Sequence, residues 1–380
     1  MIYSIYIILI FVTFIGFISS YWVQKVTLEL ALKFQIYDDF NHRKLAKAPR
    51  PRLGGIGIFL GFLTSFYTLF FVIYLLQGTR FHIYVDFSLF QIMLYICSMI
   101  IFFLLGLYDD FKGLKATQKL LVQVVIATIL FYIGFKIELL TLPFVDSSIN
   151  VGVFSYPLTI FWIIGISNAL NLIDGLDGLA GGVIAIVAIT IIIICVMFKL
   201  IFPAIIISAL LGGVAGFLPY NIYPSKILMG DSGSLFAGAI LATLSLKTAH
   251  KASLGIALMI PILFLAIPVL DTAISFSRRL ISGRNPLKGD NDHIHHRLMR
   301  KGFSEKKSAN ILLILTAIFS GLSIVVSYFR GTLRFVALLI SGLIAVLLIF
   351  YLKYIRFSFK RNGNNGNNNL YHEDENRIND

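Results

Sequence analysis

The chain has 380 residues, 58% of them hydrophobic and 13% charged, with a mean hydropathy of +0.86 and a net charge of +13. A single soluble core would stop growing well before it absorbed so much apolar surface, which argues against a soluble helical protein. The two cysteines, Cys97 and Cys195, lie inside apolar runs, so neither a disulfide framework nor a thiolate metal site is expected.

A bilayer-spanning helix needs roughly 17–25 apolar residues, and the sequence repeats runs of that kind. Eleven spans are expected, at 2–23, 53–76, 87–107, 118–135, 157–170, 179–198, 203–219, 234–249, 254–276, 308–328 and 334–352. The first lacks a basic leader and a small-residue cleavage site, so it reads as a mature helix rather than a signal peptide. The fifth is short; it either continues outward through Ser155 to Pro157 or begins as a re-entrant segment. The expected class is therefore all-α, a polytopic integral membrane protein. Residues 1–357 form a single membrane-embedded domain in this reading, and 358–380, rich in Asn and Gly, a disordered tail.

Lys and Arg in alternate connections set the orientation. One side carries 25 of the 32, with seven in 24–52 and nine in 277–307; the other side carries seven. The N-terminus is thus expected outside and the C-terminus in the cytoplasm. The two richest loops exceed what orientation needs and suit anionic lipid phosphates or a nucleotide diphosphate. Neither has a nucleic-acid recognition motif, so no nucleic-acid partner is expected.

Asp109, Asp110, Asp174, Asp177, Asp231, Asp290 and Asp292 fall on the basic side. Asp109 and Asp110 end an apolar helix, where adjacent carboxylates repel each other and oppose the negative end of the helix dipole. Either Lys112 and Lys115 neutralise them in solvent, or they serve a cation, and hard oxygen ligands favour Mg²⁺ or Mn²⁺ over zinc. The stretch 168–182 places Asn168, Asn171, Asp174 and Asp177 between two apolar segments, where acids face a partner, an ion or a water-filled cavity. Asn221 opens a connection ending in Gly230-Asp231-Ser232-Gly233-Ser234 before an apolar span. That turn is either an ordinary helix cap or a set of free N–H groups for phosphate, with Asp231 on a shared metal.

Farther on, Asp290-Asn291-Asp292-His293-Ile294-His295-His296-Arg297 packs three of the seven histidines into four positions. Zinc is one reading; imidazoles on phosphate beside the fixed charge of Arg297 fit the setting better. Asp271 lies inside the ninth span, with Arg278 two turns on along the same face, so an ion pair within that helix is expected. Gly54, Gly55 and Gly57, after Pro49-Arg50-Pro51-Arg52, read as close helix packing behind a rigid loop.

In order, Pro51-Arg52-Leu53-Gly54-Gly55, Asp109-Asp110, 168–180, 221–234 and 293–298 resemble the motifs of the polyprenyl-phosphate N-acetylhexosamine-1-phosphate transferases. That family includes initiators of O-antigen and teichoic-acid synthesis and the phospho-N-acetylmuramoyl-pentapeptide transferase. The run from Asp290 to His296 resembles the N-acetylglucosamine branch. The resemblance implies a bacterial inner-membrane enzyme with a cytoplasmic active site. It would transfer a sugar 1-phosphate, N-acetylglucosamine 1-phosphate foremost, from a UDP-N-acetylhexosamine to undecaprenyl phosphate, releasing UMP. It implies Mg²⁺ at Asp231 and Asn171, and catalytic roles for Asp109, Asp110, Asp174, His293, His295 and His296. Substrate contacts would come from Lys47, Arg52, Asn168, Asp177, Asn221, Asp290 and Arg297, with Asp177 and Asn221 on the nucleoside side. It allows a homodimer.

Two positions depart from the family pattern. Leu228 stands where an aromatic usually precedes the metal aspartate, leaving Tyr223 as a substitute for stacking on uracil, and Arg50 stands where threonine is common. The alternative reading is a transporter or flippase for a lipid-linked or anionic substrate. It would want polar sites near the midplane and an inverted repeat, neither of which is seen.

Overall fold

A computed structural model of the chain describes residues 2–36, 50–75, 87–141, 148–252, 258–281, 283 and 293–352. The helices are α1 (Ile2–Lys33), α2 (Gly54–Leu75), α3 (Leu89–Lys112) and α4 (Ala116–Tyr132), then α5 (Ser155–Ile173), α6 (Leu179–Met197), α7 (Ile201–Asn221) and α8 (Gly230–Ala252). Next come α9 (Met259–Phe264), α10 (Ala266–Ile281), α11 (Ile294–Arg300), α12 (Glu305–Tyr328) and α13 (Thr332–Tyr351). The connection from α4 to α5 carries a two-stranded antiparallel hairpin, β1 (Leu139–Thr141) with β2 (Ser148–Asn150), and the pair Leu140–Ile149 sets its register.

Among the described residues, every expected span falls mainly on helix. Eight helices among the described residues are long and apolar enough to cross a membrane: α1, α2, α3, α5, α6, α7, α12 and α13. Three expected spans fall short of that description. Helix α4 has 17 residues. The ninth span is two helices, α9 and α10, separated at Leu265 and carrying Pro261 and Pro268, whose rings cannot extend an unbroken hydrogen-bond ladder. Helix α8 is long enough, but it is built from Gly, Ser, Ala and Thr as much as from Leu and Ile.

The composition of α8 follows from its place. It packs against α2, α3, α5, α6 and α7, and residues 232–245 are fully buried. A helix that faces protein on all sides needs close approach more than hydropathy, and small residues permit it. A Cβ at Gly55 of α2 would stand 2.3 Å from the Gly233 nitrogen, and one at Gly106 of α3 would stand 2.3 Å from the Asp231 carbonyl oxygen. Side-chain bonds complete the core. Tyr95 and Thr243 hydroxyls meet at 3.1 Å, and the Trp162 indole donates to Ser245 Oγ at 3.1 Å. Phe59 stacks on Phe103 with centroids 3.9 Å apart, and Phe236 meets Phe59 edge-on. Outward faces of α1 and α13 expose Ile7, Ile10, Phe14, Leu339 and Leu343, as helices do whose solvent is lipid.

Candidate active site

The polar groups gather where α3 ends and α8 begins. The first N–H groups of a helix have no partner within it and carry the positive end of its dipole. In α8 the carboxylate of Asp110 supplies that partner from another helix, accepting from Asp231 N at 2.8 Å and Ser232 N at 3.0 Å. The main chain can come this close because residue 230 is glycine, with φ of +77°. Asp110, expected in a catalytic role, has both oxygens engaged in holding α8.

Asp109 turns the other way. Its Oδ1 accepts from Leu114 N and its Oδ2 from Lys119 Nζ, each at 2.5 Å. The same ammonium donates to Asp231 Oδ2 at 2.7 Å. Lys119 therefore does the neutralising expected of Lys112 and Lys115, both of which are exposed. Asn171 Nδ2 donates to Asp231 Oδ2 at 3.1 Å, and its Oδ1 accepts from Ser234 Oγ at 3.0 Å. As oriented here, Asn171 aims Asp231. Asn168, one turn earlier on α5, does not bond to this cluster. Its Nδ2 donates to Gln123 Oε1 at 2.9 Å, one turn along α4 from Lys119, and so fixes the helix that carries the lysine.

The connection after α5 brings a second group of acids. Asp174 accepts the Gly230 N–H, and the loss of hydration around its carboxyl pushes it up to about 8, with Arg52 only partly offsetting this. At Asp177 burial also acts upward, but the Ser225 N–H and the Arg50 guanidinium outweigh it and hold the carboxyl below the ordinary range. Arg50 Nη1 lies 2.8 Å from Asp177 Oδ1 and also donates to Ser225 Oγ, and Ser225 N donates to Asp177 Oδ2 at 3.1 Å. Asn221 is buried as a brace: it accepts from Gly178 N at 3.1 Å and donates to the Ile227 carbonyl at 3.0 Å. The Pro51-to-Gly55 stretch pairs with the α7–α8 connection, through Leu228 N to Pro51 O at 2.9 Å and Gly55 N to Met229 O at 2.8 Å. Tyr223, the expected stacking aromatic, is exposed beside it.

The histidines form a third wall. The bonds described for Asp271 run to α11 and its cap rather than along its own helix: His293 Nδ1 at 3.0 Å and Ile294 N at 2.7 Å. His295 is 2% exposed, and neither ring nitrogen has a partner among the described residues. Its ring abuts Gly175, where a Cβ would come within 2.6 Å of Nε2, so the cluster rests on the turn that carries Asp174. Burial, with His296 and His293 alongside, pulls the His295 pKa down to about 3, and burial with His293 lowers that of His296. Both rings are neutral near pH 7. No group of three or more His, Cys, Asp or Glu among the described residues is arranged to hold a metal, so the zinc reading has no support there. Arg297 reaches the Leu352 carbonyl at 3.1 Å. Lys47 and Asp290 lie outside the described residues.

Sequence reasoning passed over Lys119, Gln123, Ser225 and Ser234, and gave Arg50 no role. Lys119 did leave a signal: it is a charge in the first turns of an apolar helix, which needs a partner.

Fold and site together define a multi-pass helical membrane protein with a cluster of ionisable groups gathered at helix ends. The chain belongs to glycosyl transferase family 4, whose family model matches residues 92–249. It is 32% identical over 333 residues to a probable undecaprenyl-phosphate N-acetylglucosaminyl 1-phosphate transferase of Bacillus subtilis, covering 88% of this chain and 87% of that one. It is 30% identical to a decaprenyl-phosphate N-acetylglucosaminephosphotransferase of Mycolicibacterium smegmatis, over 80% of this chain and 77% of the other. It is also 33% identical to a phospho-N-acetylmuramoyl-pentapeptide-transferase of Halalkalibacterium halodurans, over 70% and 79% of the two chains.

Proposed function

We propose that the protein transfers N-acetylglucosamine 1-phosphate from UDP-N-acetylglucosamine to undecaprenyl phosphate on the cytoplasmic face of a bacterial inner membrane, releasing UMP. The observation that carries this is the convergence of Asp109, Asp231 and Lys119 at one end of the bundle, beside the N-terminus of α8. Likeness to relatives named for N-acetylglucosaminyl 1-phosphate transfer to polyprenyl phosphates supports the choice of substrates.

The donor set fits Mg²⁺. Asp109 and Asp231 point carboxylate oxygens at one place, which the Lys119 ammonium fills at 2.5 and 2.7 Å. Mg²⁺ is commonly bound by one or two carboxylates together with substrate phosphates and water. Asp231, aimed by Asn171, would hold the ion with Asp109 near it, and the bound ion would offset charge on the diphosphate.

The residues of the chain do the rest. The attacking lipid phosphate oxygen is already ionised near neutral pH, so it needs positioning more than deprotonation. It forms a bond to the sugar-linked phosphorus as the bond from that phosphorus to the bridging oxygen breaks, and the electron pair leaves with UMP. Lys119 and Arg52 offset the repulsion between the two phosphates. The neutral imidazoles of His295 and His296 offer hydrogen bonds without adding charge. In the purified protein, undecaprenyl phosphate, Mg²⁺ and UDP-N-acetylglucosamine should give lipid-dependent UMP. Folded protein that releases none, with this or any related UDP-sugar, would end the proposal. The Asp231→Asn variant should lose about 10²–10³ in kcat, the scale seen when one preorganised charge-stabilising group is removed. Full activity would remove Asp231 from the metal site.

A further inference from the structure

Resting on that reading, we propose that Arg50 is a positioning residue for the nucleotide-sugar: it latches three chain segments into the wall that receives the water-soluble donor. The segments are the entry to α2, the α5–α6 connection and the α7–α8 connection, and Arg50 Nη1 touches the latter two through Asp177 and Ser225. The junction is doubly tied, because Ser225 N returns to Asp177 Oδ2 at 3.1 Å and Gly178 N to Asn221 Oδ1 at 3.1 Å. A carboxylate held by a guanidinium on one oxygen and a backbone N–H on the other has a fixed direction.

The place of the junction says which substrate it serves. Arg50, Asp177 and Ser225 all lie outside the eight membrane-crossing helices. Beside them Ile222, Tyr223, Pro224 and Lys226 are exposed. On the proposed topology this corner faces the cytoplasm, where the donor is dissolved. The isoprenoid tail of the acceptor must stay among the lipid-facing helices. The same connection continues through Leu228 and Met229, paired to the α2 entry, into Gly230 and Asp231. Loosening the latch therefore lets the donor wall splay, while Asp110 still holds the start of α8 from the other side.

A group that binds donor equally in the ground and transition states alters KM and leaves kcat alone. Arg50→Ala should raise KM for UDP-N-acetylglucosamine about tenfold, on that logic, and weaken UDP binding by calorimetry to a similar extent. Both kcat and KM for undecaprenyl phosphate should stay within about twofold. Ser225→Ala, which removes the other acceptor of Arg50 Nη1, should do the same to a smaller extent, and the double variant should be no worse than Arg50→Ala. Arg50→Lys keeps the charge on a shorter side chain, without the planar group whose single Nη1 reaches both Asp177 and Ser225, so it should fall between. If Arg50→Ala does not fold, Arg50→Lys with unchanged donor KM overturns the proposal. So does a fall in kcat alone, a parallel rise in both KM values, or no change at all. A wild-type protein that releases no lipid-dependent UMP would instead defeat the transferase reading itself.

Discussion

At the scale of single residues, the site separates groups that were alike in sequence. Asp109 and Asp110 are neighbours, yet one shares an ammonium with Asp231 while the other caps a helix. Asp174 and Asp177 are three apart, and their carboxyls shift in opposite directions because one is stripped of water and the other is held by Arg50 and a backbone N–H. For Asp174 the folded pKa lies above the unfolded one, so the folded state binds more protons and stability falls as pH rises from the ordinary carboxylate range through about 8. The melting temperature of the wild type should therefore drop more between pH 6 and pH 9 than that of Asp174→Asn; equal slopes would contradict the shift. His295 has the opposite sign: its folded pKa, about 3, lies below the unfolded 6.5. Its neutral form stabilises above pH 6.5, and that contribution is lost as pH falls toward 3. Both its buried ring nitrogens lack partners among the described residues, so an apolar ring of similar size should fold at least as well. We expect His295→Phe to keep or raise the melting temperature and to lose transferase activity. Retained activity would make this histidine a packing residue.

At the scale of elements, function depends on how closely α2 and α3 approach the first turn of α8. A Cβ at position 55 would meet the backbone at Gly233 N, 2.3 Å away, and backbone cannot swing aside as a side chain does. Gly55→Ala should cost about 1–3 kcal/mol, the usual price of overpacking, and should depress activity with it. Thermal melting and UMP release on the same preparation check both effects, and a variant indistinguishable from wild type would mean that α2 shifts freely. Helix α4 depends on a smaller device. Its Lys119 is delivered to two carboxylates by a helix that Gln123 anchors to Asn168.

At the scale of the whole molecule, the bundle puts its chemistry at helix ends and its apolar bulk against lipid. The lysine and arginine bias argues for the proposed topology, in which the ends that carry Asp109, Asp177 and Asp231 face the cytoplasm. A cysteine in place of Lys226 should react with a membrane-impermeant maleimide only after the cells are opened, whereas one in place of Lys199 should react in intact cells. Reversed labelling would invert the topology and move the site to the other face.

Much of this was legible in the chain itself. Long apolar runs marked nearly every helix, because in a bilayer length and hydropathy decide what spans. The acids stood out because charge is rare and costly in such a composition. The ninth span misled, since mean hydropathy registers apolar content and not a break at Leu265. Helix α8 answers the span expected at 234–249, and it is central without being the most apolar. What only the tertiary structure decided was pairing. No spacing rule joins Lys119 to Asp231, Arg50 to Asp177 or Asp271 to His293, because each pair is set by which helices lie side by side. Residue types and their spacing pointed to a cation and phosphate chemistry as an expectation. Packing determined which carboxylate faces the cation and which is spent on holding a helix in place.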